Sequence, residues 1–231
     1  MGGPGHGGAT SSGHGVATTP SAKVPSDPLG PVGLESVPDE ARVELVYHDS
    51  GVIDGTVGGT RVHLRGLVPT RQGSADGTWG GSTFEAEWSI GDTRHDSANP
   101  CPVVVSGRFG VAPVKLEGEF RLSADRSLEG ARLAGDLGGQ DIGGEVSPAD
   151  GGLGATSAVV AEGTLGGAPF ELFAAFSDDS KKAVVRGSIG GWPVAIDANR
   201  AGPTAPARIV GSYSGEPALL VLVLAVAVRF L

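Results

Sequence analysis

The adjacent side chains His95 and Asp96, in the stretch GDTRHDSANP, are the strongest candidates for chemistry in this sequence. A carboxylate beside an imidazole can orient the ring for general base catalysis. Neighbours on a polar, turn-rich loop rarely achieve this, because consecutive side chains diverge. We therefore predict that the protein is not an enzyme and has no catalytic residues. A hydrolase that uses His95 and Asp96 is the distant alternative.

Two further reactive side chains lack the partners that catalysis needs. His63 stands between Arg61 and Arg65 in an alternating run, which favours a surface histidine on the polar face of a strand over a general base. Cys101 is the only cysteine, so no intrachain disulfide can form. Its flanking prolines, in NPCPVVV, favour a loop or strand-edge residue over a nucleophile.

Metal and cofactor motifs are equally weak. The run Asp178–Ser180 offers hard oxygen ligands of the kind that calcium takes, but Lys181 beside it favours a solvated turn. His6 and His14 lie in Gly-His-Gly triplets of a segment predicted to be too flexible to build a site. No phosphate loop, dinucleotide fingerprint or zinc-spaced set occurs, so we predict no metal-binding or cofactor-binding residues and no cofactor. Core or turn-covering positions, with a carbohydrate-stacking platform as the alternative, are expected for Trp79, Trp88 and Trp192.

Charge and composition narrow the partners. Lys plus Arg total 17 against 26 Asp plus Glu, a formal net charge of −9, which argues against nucleic acid because phosphate binding needs cationic surface. Residues 1–38 are rich in Gly, Pro, Ser and Thr and lack a basic n-region and an apolar h-region, so no secretory signal peptide is visible. So few apolar side chains cannot offset the entropy of ordering. We predict a disordered tail over 1–38.

A ten-residue phrase recurs along the rest of the chain. A phrase that returns every two to three dozen residues indicates one supersecondary unit repeated. The seven copies are GTVGGTRVHL from Gly55, GTWGGSTFEA from Gly77, GRFGVAPVKL from Gly107, GDLGGQDIGG from Gly135, GTLGGAPFEL from Gly163, GSIGGWPVAI from Gly187 and GSYSGEPALL from Gly211.

Each copy predicts a β-hairpin whose apolar side chains share one face. Gly-Gly between alternating runs supplies the positive φ of a two-residue turn. With Gly58-Gly59 as the turn, Gly55 faces Val62 and Ile53 faces Leu64, and paired residues share a face. An apolar face must be covered. We predict, over residues 39–216, an all-β antiparallel meander of about seven hairpins rolled into a barrel or a sandwich.

Glycine and proline positions add two finer expectations. The leading glycine of each copy, such as Gly55, lies opposite a bulky residue and is predicted to let that residue fold over the backbone; a twist or bulge glycine is the alternative. Pro113, Pro169 and Pro193 each fall two residues after a turn. Because proline lacks an N–H donor, neighbouring hairpins are expected not to pair near their tips.

The C-terminal segment Pro217–Leu231 has no polar side chain from Ala218 to Val228. It fits a membrane-associated tail, a buried or central strand, or a core helix with Pro217 at its first position. As a helix it would span about 22 Å, short of the roughly 30 Å hydrocarbon core of a bilayer. The tail interpretation predicts a membrane-associated protein.

These patterns predict a non-enzymatic β-repeat scaffold or interaction domain with a protein partner, in contact with a membrane through Pro217–Leu231. The alternative is a β-barrel carrier that binds an apolar small molecule in its interior, which requires that the interior be incompletely filled.

Overall fold

The repeated phrase folds into paired strands along most of the chain. A computed structural model describes residues 37–68, 70–91, 100–123, 128–149, 156–177, 179, 181–202 and 205–229. Within these residues a short 3₁₀ turn at Asp39–Ala41 precedes fourteen strands and one helix. In chain order they are β1 (Arg42–His48), β2 (Val52–Val57), β3 (Thr60–Arg65), β4 (Gln72–Trp79), β5 (Ser82–Ile90), β6 (Cys101–Phe109), β7 (Ala112–Leu122), β8 (Leu128–Leu137), β9 (Asp141–Pro148), β10 (Thr156–Leu165), β11 (Ala168–Ser177), β12 (Lys182–Ile189), β13 (Trp192–Arg200), β14 (Ala207–Ser212) and α1 (Pro217–Arg229).

The strands form one closed antiparallel barrel. Each strand pairs with its neighbours in sequence, and β1 pairs with β14, with Leu45 opposite Ile209, so closure satisfies both edges of the sheet. The predicted all-β antiparallel meander is confirmed, and the sheet closes as a barrel where the sequence left a sandwich open. The tail predicted over 1–38 falls almost wholly outside the described residues.

The glycine turns set the register that the sequence predicts. Gly58 and Gly59 have φ of 56° and 74°, and the ladder places Gly55 opposite Val62 and Ile53 opposite Leu64. The side chains of Ile53, Val62 and Leu64 are fully buried inside the barrel. The same alternation in the other copies turns one face of every strand inward. We call the barrel end that carries these turns the tip end, and the opposite end the loop end.

The last copy of the phrase departs from the hairpin pattern. Its first half is β14, which pairs with β13 and β1, whereas its second half begins α1 at Pro217. In place of the missing second strand of its hairpin, β14 pairs with β1, which precedes the first copy of the phrase in the sequence. The barrel therefore reaches fourteen strands through one long-range pair as well as through local hairpins.

Most of the leading glycines take the alternative role, the close approach of two strands, whereas Gly163 takes the predicted one, because an added Cβ there would lie 2.7 Å from Cζ of Phe170, the residue opposite it. At Gly55, φ is 149°, and an added Cβ would lie 2.1 Å from the carbonyl oxygen of Glu44 on the neighbouring strand. A backbone atom cannot move aside as the end of a side chain can. The glycine therefore allows close approach of two strands where the wall curves.

Neighbouring hairpins pair up to their tips, so the expectation from the prolines is wrong. Phe170, directly after Pro169, lies opposite Ile189 on the next hairpin. The N–H of Gly190 donates to the carbonyl oxygen of Pro169 at 2.7 Å. Proline loses its donor but keeps its acceptor, and the turn glycine of the next hairpin uses it.

The C-terminal run forms helix α1, and the barrel encloses it. The four consecutive residues Ala218, Leu219, Leu220 and Val221 are each at most 5% exposed, so this first part of the helix is covered on all sides. The helix packs against β12, and its buried side chains join the same core as the inward-facing strand residues. No helix among the described residues is long and apolar enough to cross a bilayer.

The outer face carries many charged side chains, but over β10–β12 it holds a buried apolar cluster of Phe173, Ala175 and Val184. Cross-strand ion pairs run along it, for example between Arg108 and Glu85 at 3.0 Å. Asp197 lies on this face yet is buried, and its Oδ1 is 2.5 Å from Nη2 of Arg186. Pairing with a cation is what makes burial of a carboxylate tolerable.

Candidate functional site

The inner wall of the barrel differs from one side to the other. On β1–β4 and β11–β14 most inward-facing side chains are almost completely buried. We call this the closed wall; its residues, each at most 4% exposed, include Val43, Leu45, Tyr47, Ile53, Val62, Leu64, Ala75, Phe176, Val185, Ile196, Ala198 and Ile209.

On β5–β10 several inward-facing side chains are only partly buried, although others on the same strands are fully buried. A side chain that faces the inside of a closed barrel and is still partly exposed borders space that solvent reaches. We call this the open wall, and it is apolar throughout: Trp88, Val103, Val105, Phe120, Leu133, Val146, Val159 and Ala161.

Exposure of the inward-facing side chains varies along the open side. On β5, Phe84 is buried near the turn, whereas Trp88 is partly exposed four residues further on. On β10, Leu165 is buried at the turn and Val159 is partly exposed. On β6 the order is reversed, because Phe109 at the tip end is partly exposed and Cys101 at the loop end is buried.

Strand number and side-chain size explain this space. An eight-stranded barrel is just filled by its own side chains, and diameter grows with strand number. One helix, about 10–12 Å across, fills part of the wider lumen of a fourteen-stranded barrel. On the open side several inward positions carry small residues, namely Gly118, Ala131, Gly144 and Ala161.

The chain between β14 and α1 crosses the tip end. The N–H of Tyr213 donates to the carbonyl oxygen of Ala41 beside β1, and its hydroxyl donates to the carbonyl oxygen of Glu216 at 2.6 Å. Glu216 then reaches the β8–β9 turn, where Nε2 of Gln140 lies 3.5 Å from its Oε2. Because β8 and β9 are on the far side of the barrel from β1, this crossing covers the tip end.

Burial at the crossing raises the pKa of two side chains. Desolvation raises the pKa of the Glu216 carboxyl above its usual value, opposed by the hydrogen bond from the Ala218 N–H. Desolvation likewise raises the pKa of the Tyr213 hydroxyl, and the charge of Glu216 adds to the effect. Both pKa shifts have burial next to the start of α1 as their largest cause.

Trp88 is the tryptophan of the open wall. Its indole Nε1 donates to the carbonyl oxygen of Thr70 at 2.9 Å, and Val105 lies opposite it on β6. Trp79 is a core residue, as predicted, in edge-to-face contact with Phe109 at a centroid distance of 6.4 Å. Trp192 is 65% exposed at the β12–β13 turn.

A charged residue also points inward at the loop end, on the closed side. Arg200 lies opposite Ala207, and its Nη2 is 2.7 Å from Oδ1 of Asp49. Its guanidinium also lies 5.9 Å from the centroid of the Tyr47 ring. The ion pair with Asp49 compensates the charge of Arg200, so the guanidinium can lie at the loop end of the closed wall.

Those of the residues singled out in the sequence that the structure describes do not come together into a reactive centre. Nδ1 of His63 lies 2.6 Å from Oδ1 of Asp54, a cross-strand pair on the outer face that the sequence analysis did not predict. Asp179 bonds to Lys181, which holds the pKa of its carboxyl below the usual value. Cys101 is buried at the start of β6. The described structure does not include His6, His14, His95, Asp96, Asp178 or Ser180.

Within the described residues, neither a cluster of metal ligands nor an outer pocket forms a stronger candidate for a functional site. There, no three His, Cys, Asp or Glu side chains converge as a metal site requires. An outer groove of about 400 Å³ lies over β7–β10. Its lining has four glutamates against two arginines. Arg132 pairs with Glu145 at 3.0 Å and Arg121 with Glu119 at 3.6 Å, so the groove keeps a net negative charge.

The chain matches no protein-family model, and no curated protein or solved structure is significantly similar to it. The site is therefore defined by its own geometry. The partly exposed apolar side chains of the open wall are the feature that fits a ligand.

Proposed function

We propose that the protein binds an apolar small molecule inside the barrel, against the open wall. The observation that carries the proposal is the partial exposure of apolar, inward-facing side chains such as Val105, Leu133 and Val159 within a closed barrel. Water in contact with such a surface is released when an apolar ligand covers it, which favours binding.

Two adjacent residues of β6 provide a matched test. Val105 belongs to the open wall, whereas Val104 points outward and is 44% exposed. We expect Val105→Phe to fill part of the space and lower the affinity for a neutral apolar fluorophore, 1,6-diphenylhexatriene, by about tenfold, since each lost buried methylene-sized contact is worth about 0.8 kcal/mol. Val104→Phe should bind the fluorophore as the wild type does.

Two results would contradict the carrier function. Absence of saturable fluorophore binding to the folded wild type would favour the scaffold or interaction-domain function that the sequence also predicts. Equal effects of the two phenylalanine variants would place the binding surface outside the lumen. Contact with a membrane through Pro217–Leu231 stays a prediction. It requires α1 to leave the barrel, and fractionation of the full-length protein tests it.

A further inference from the structure

Trp88 lies flat against the barrel wall because the residue opposite it is glycine. Gly73 pairs directly with Trp88, and a Cβ added to Gly73 would lie 2.3 Å from Cζ2 of the indole and 2.8 and 2.9 Å from Cε2 and Cη2. These three distances place the ring face, and not its edge, over Gly73. The six-membered ring therefore rests on the backbone of β4.

A hydrogen bond fixes the ring in this orientation. The indole Nε1 donates to the carbonyl oxygen of Thr70 at 2.9 Å, which engages the only polar atom of the side chain. The ring is partly buried against the core, and since one face covers Gly73, the exposed portion borders the lumen. Trp88 thus presents a preorganised aromatic surface to anything that occupies the space.

We propose that the ligand has a planar conjugated or aromatic portion that stacks on Trp88. This inference rests on the proposed function and adds the class of molecule that the site selects. The surfaces next to the indole are aliphatic, with Val105 opposite and Ala75 and Ala86 closer to the tip end. They contact a saturated and an unsaturated hydrocarbon alike, whereas an aromatic face adds a geometry-dependent attraction for another π-system.

Gly73 is the positioning residue in this arrangement. Any side chain at Gly73 would lift the indole off β4 and into the lumen, without removing a residue that contacts the ligand. Gly81, at the turn of the same hairpin, provides the control because a Cβ there meets nothing within 4 Å. Gly73→Ala and Gly81→Ala are the same chemical change with opposite consequences for Trp88.

The test compares two hydrocarbons that share a carbon skeleton. One is 1,6-diphenylhexatriene, and the other is its saturated analogue 1,6-dicyclohexylhexane, measured by competition. We expect Trp88→Leu and Gly73→Ala each to weaken the conjugated hydrocarbon by about fivefold, the usual range for an aromatic pair, and to leave the saturated one within about twofold. Gly81→Ala should bind both as the wild type does. Trp88→Leu carries the test if Gly73→Ala fails to fold.

The outcomes separate the two proposals. If neither hydrocarbon binds the folded wild-type protein, the proposed function fails and the inference fails with it. If both bind and Trp88→Leu weakens both equally, or neither, the carrier function stands and stacking on Trp88 is refuted. A selective loss of the conjugated hydrocarbon supports the inference.

Discussion

The closed wall and the open wall are built from the same repeated phrase but end in different states. On the closed wall, Leu64 is fully buried, whereas on the open wall Leu133 is partly exposed, although both face the inside of the barrel. The two walls share the same strand pairing and turns. The difference arises from what lies opposite each of them.

Helix α1 is placed unevenly in the lumen. It begins at Pro217, directly after Glu216, whose side chain lies beside the β8–β9 turn, and it packs against β12 of the closed wall. One β-repeat can thus supply both a packed core and a binding surface, depending on which side the helix fills. Alternation along a strand therefore predicts whether a side chain points into the barrel, but not which groups it contacts there.

The largest expected effect comes from the same leucine truncation made on each wall. Leu64→Ala leaves a cavity in fully packed surroundings and should cost about 3 kcal/mol of unfolding free energy. Leu133→Ala removes a side chain that already borders open space, so we expect a cost of about 1 kcal/mol. Chemical denaturation of the two variants measures both values. Equal losses would mean that the walls are packed alike.

A smaller effect on stability is expected from glycine-to-alanine changes at two positions, one where neighbouring strands approach closely and one with open space around it. Gly55→Ala places a Cβ 2.1 Å from the carbonyl oxygen of Glu44 at a φ of 149°, and should cost about 2 kcal/mol. Gly143→Ala on β9 meets nothing within 4 Å, and should be neutral or stabilising by about 0.5 kcal/mol. Thermal unfolding ranks them. If Gly55→Ala leaves the melting temperature unchanged, β1 and β2 do not approach each other closely at Gly55.

The smallest effect is a pH dependence at the start of α1. Burial raises the pKa of Glu216 in the folded protein above its unfolded value, so folding favours the protonated carboxyl. The stability that this proton contributes is present below the unfolded pKa and is lost as pH rises through the folded pKa. We expect the stability of the wild type relative to Glu216→Gln to fall as the pH rises from below the unfolded pKa of this carboxyl to above its folded pKa, as followed by denaturation at each pH. A rising difference would show that Glu216 is stabilised as a carboxylate.

The sequence predicts the hairpins well because their rules are local. Gly58-Gly59 fixes a turn, the turn fixes the register of Ile53 with Leu64, and alternation then assigns the faces. Closure of β1 with β14 was not predicted, because β1 lies outside the repeated phrase and its partner is far along the chain. The expectation that neighbouring hairpins do not pair near their tips was wrong, because proline lacks the N–H donor but keeps its carbonyl acceptor.

The candidate site was predictable only in part. The carrier alternative required an incompletely filled interior, which no local pattern reveals. The register places Gly118 and Ala131 at inward positions of the open side, but the closed wall also carries small inward residues such as Ala75 and Ala198, so residue size along the sequence did not distinguish the two walls. The path of α1 decides which wall stays uncovered, and the uniform apolar run Ala218–Val228 carries no information about that path.

Chemical-shift mapping of methyl groups with 1,6-diphenylhexatriene tests the difference between the walls most directly. We expect the ligand to perturb the methyl signals of Val105, Leu133 and Val159 and to leave those of Val43, Leu64 and Ile209 unchanged. Perturbation confined to the outer Val104, or spread equally over both walls, would contradict a binding space bounded by the open wall.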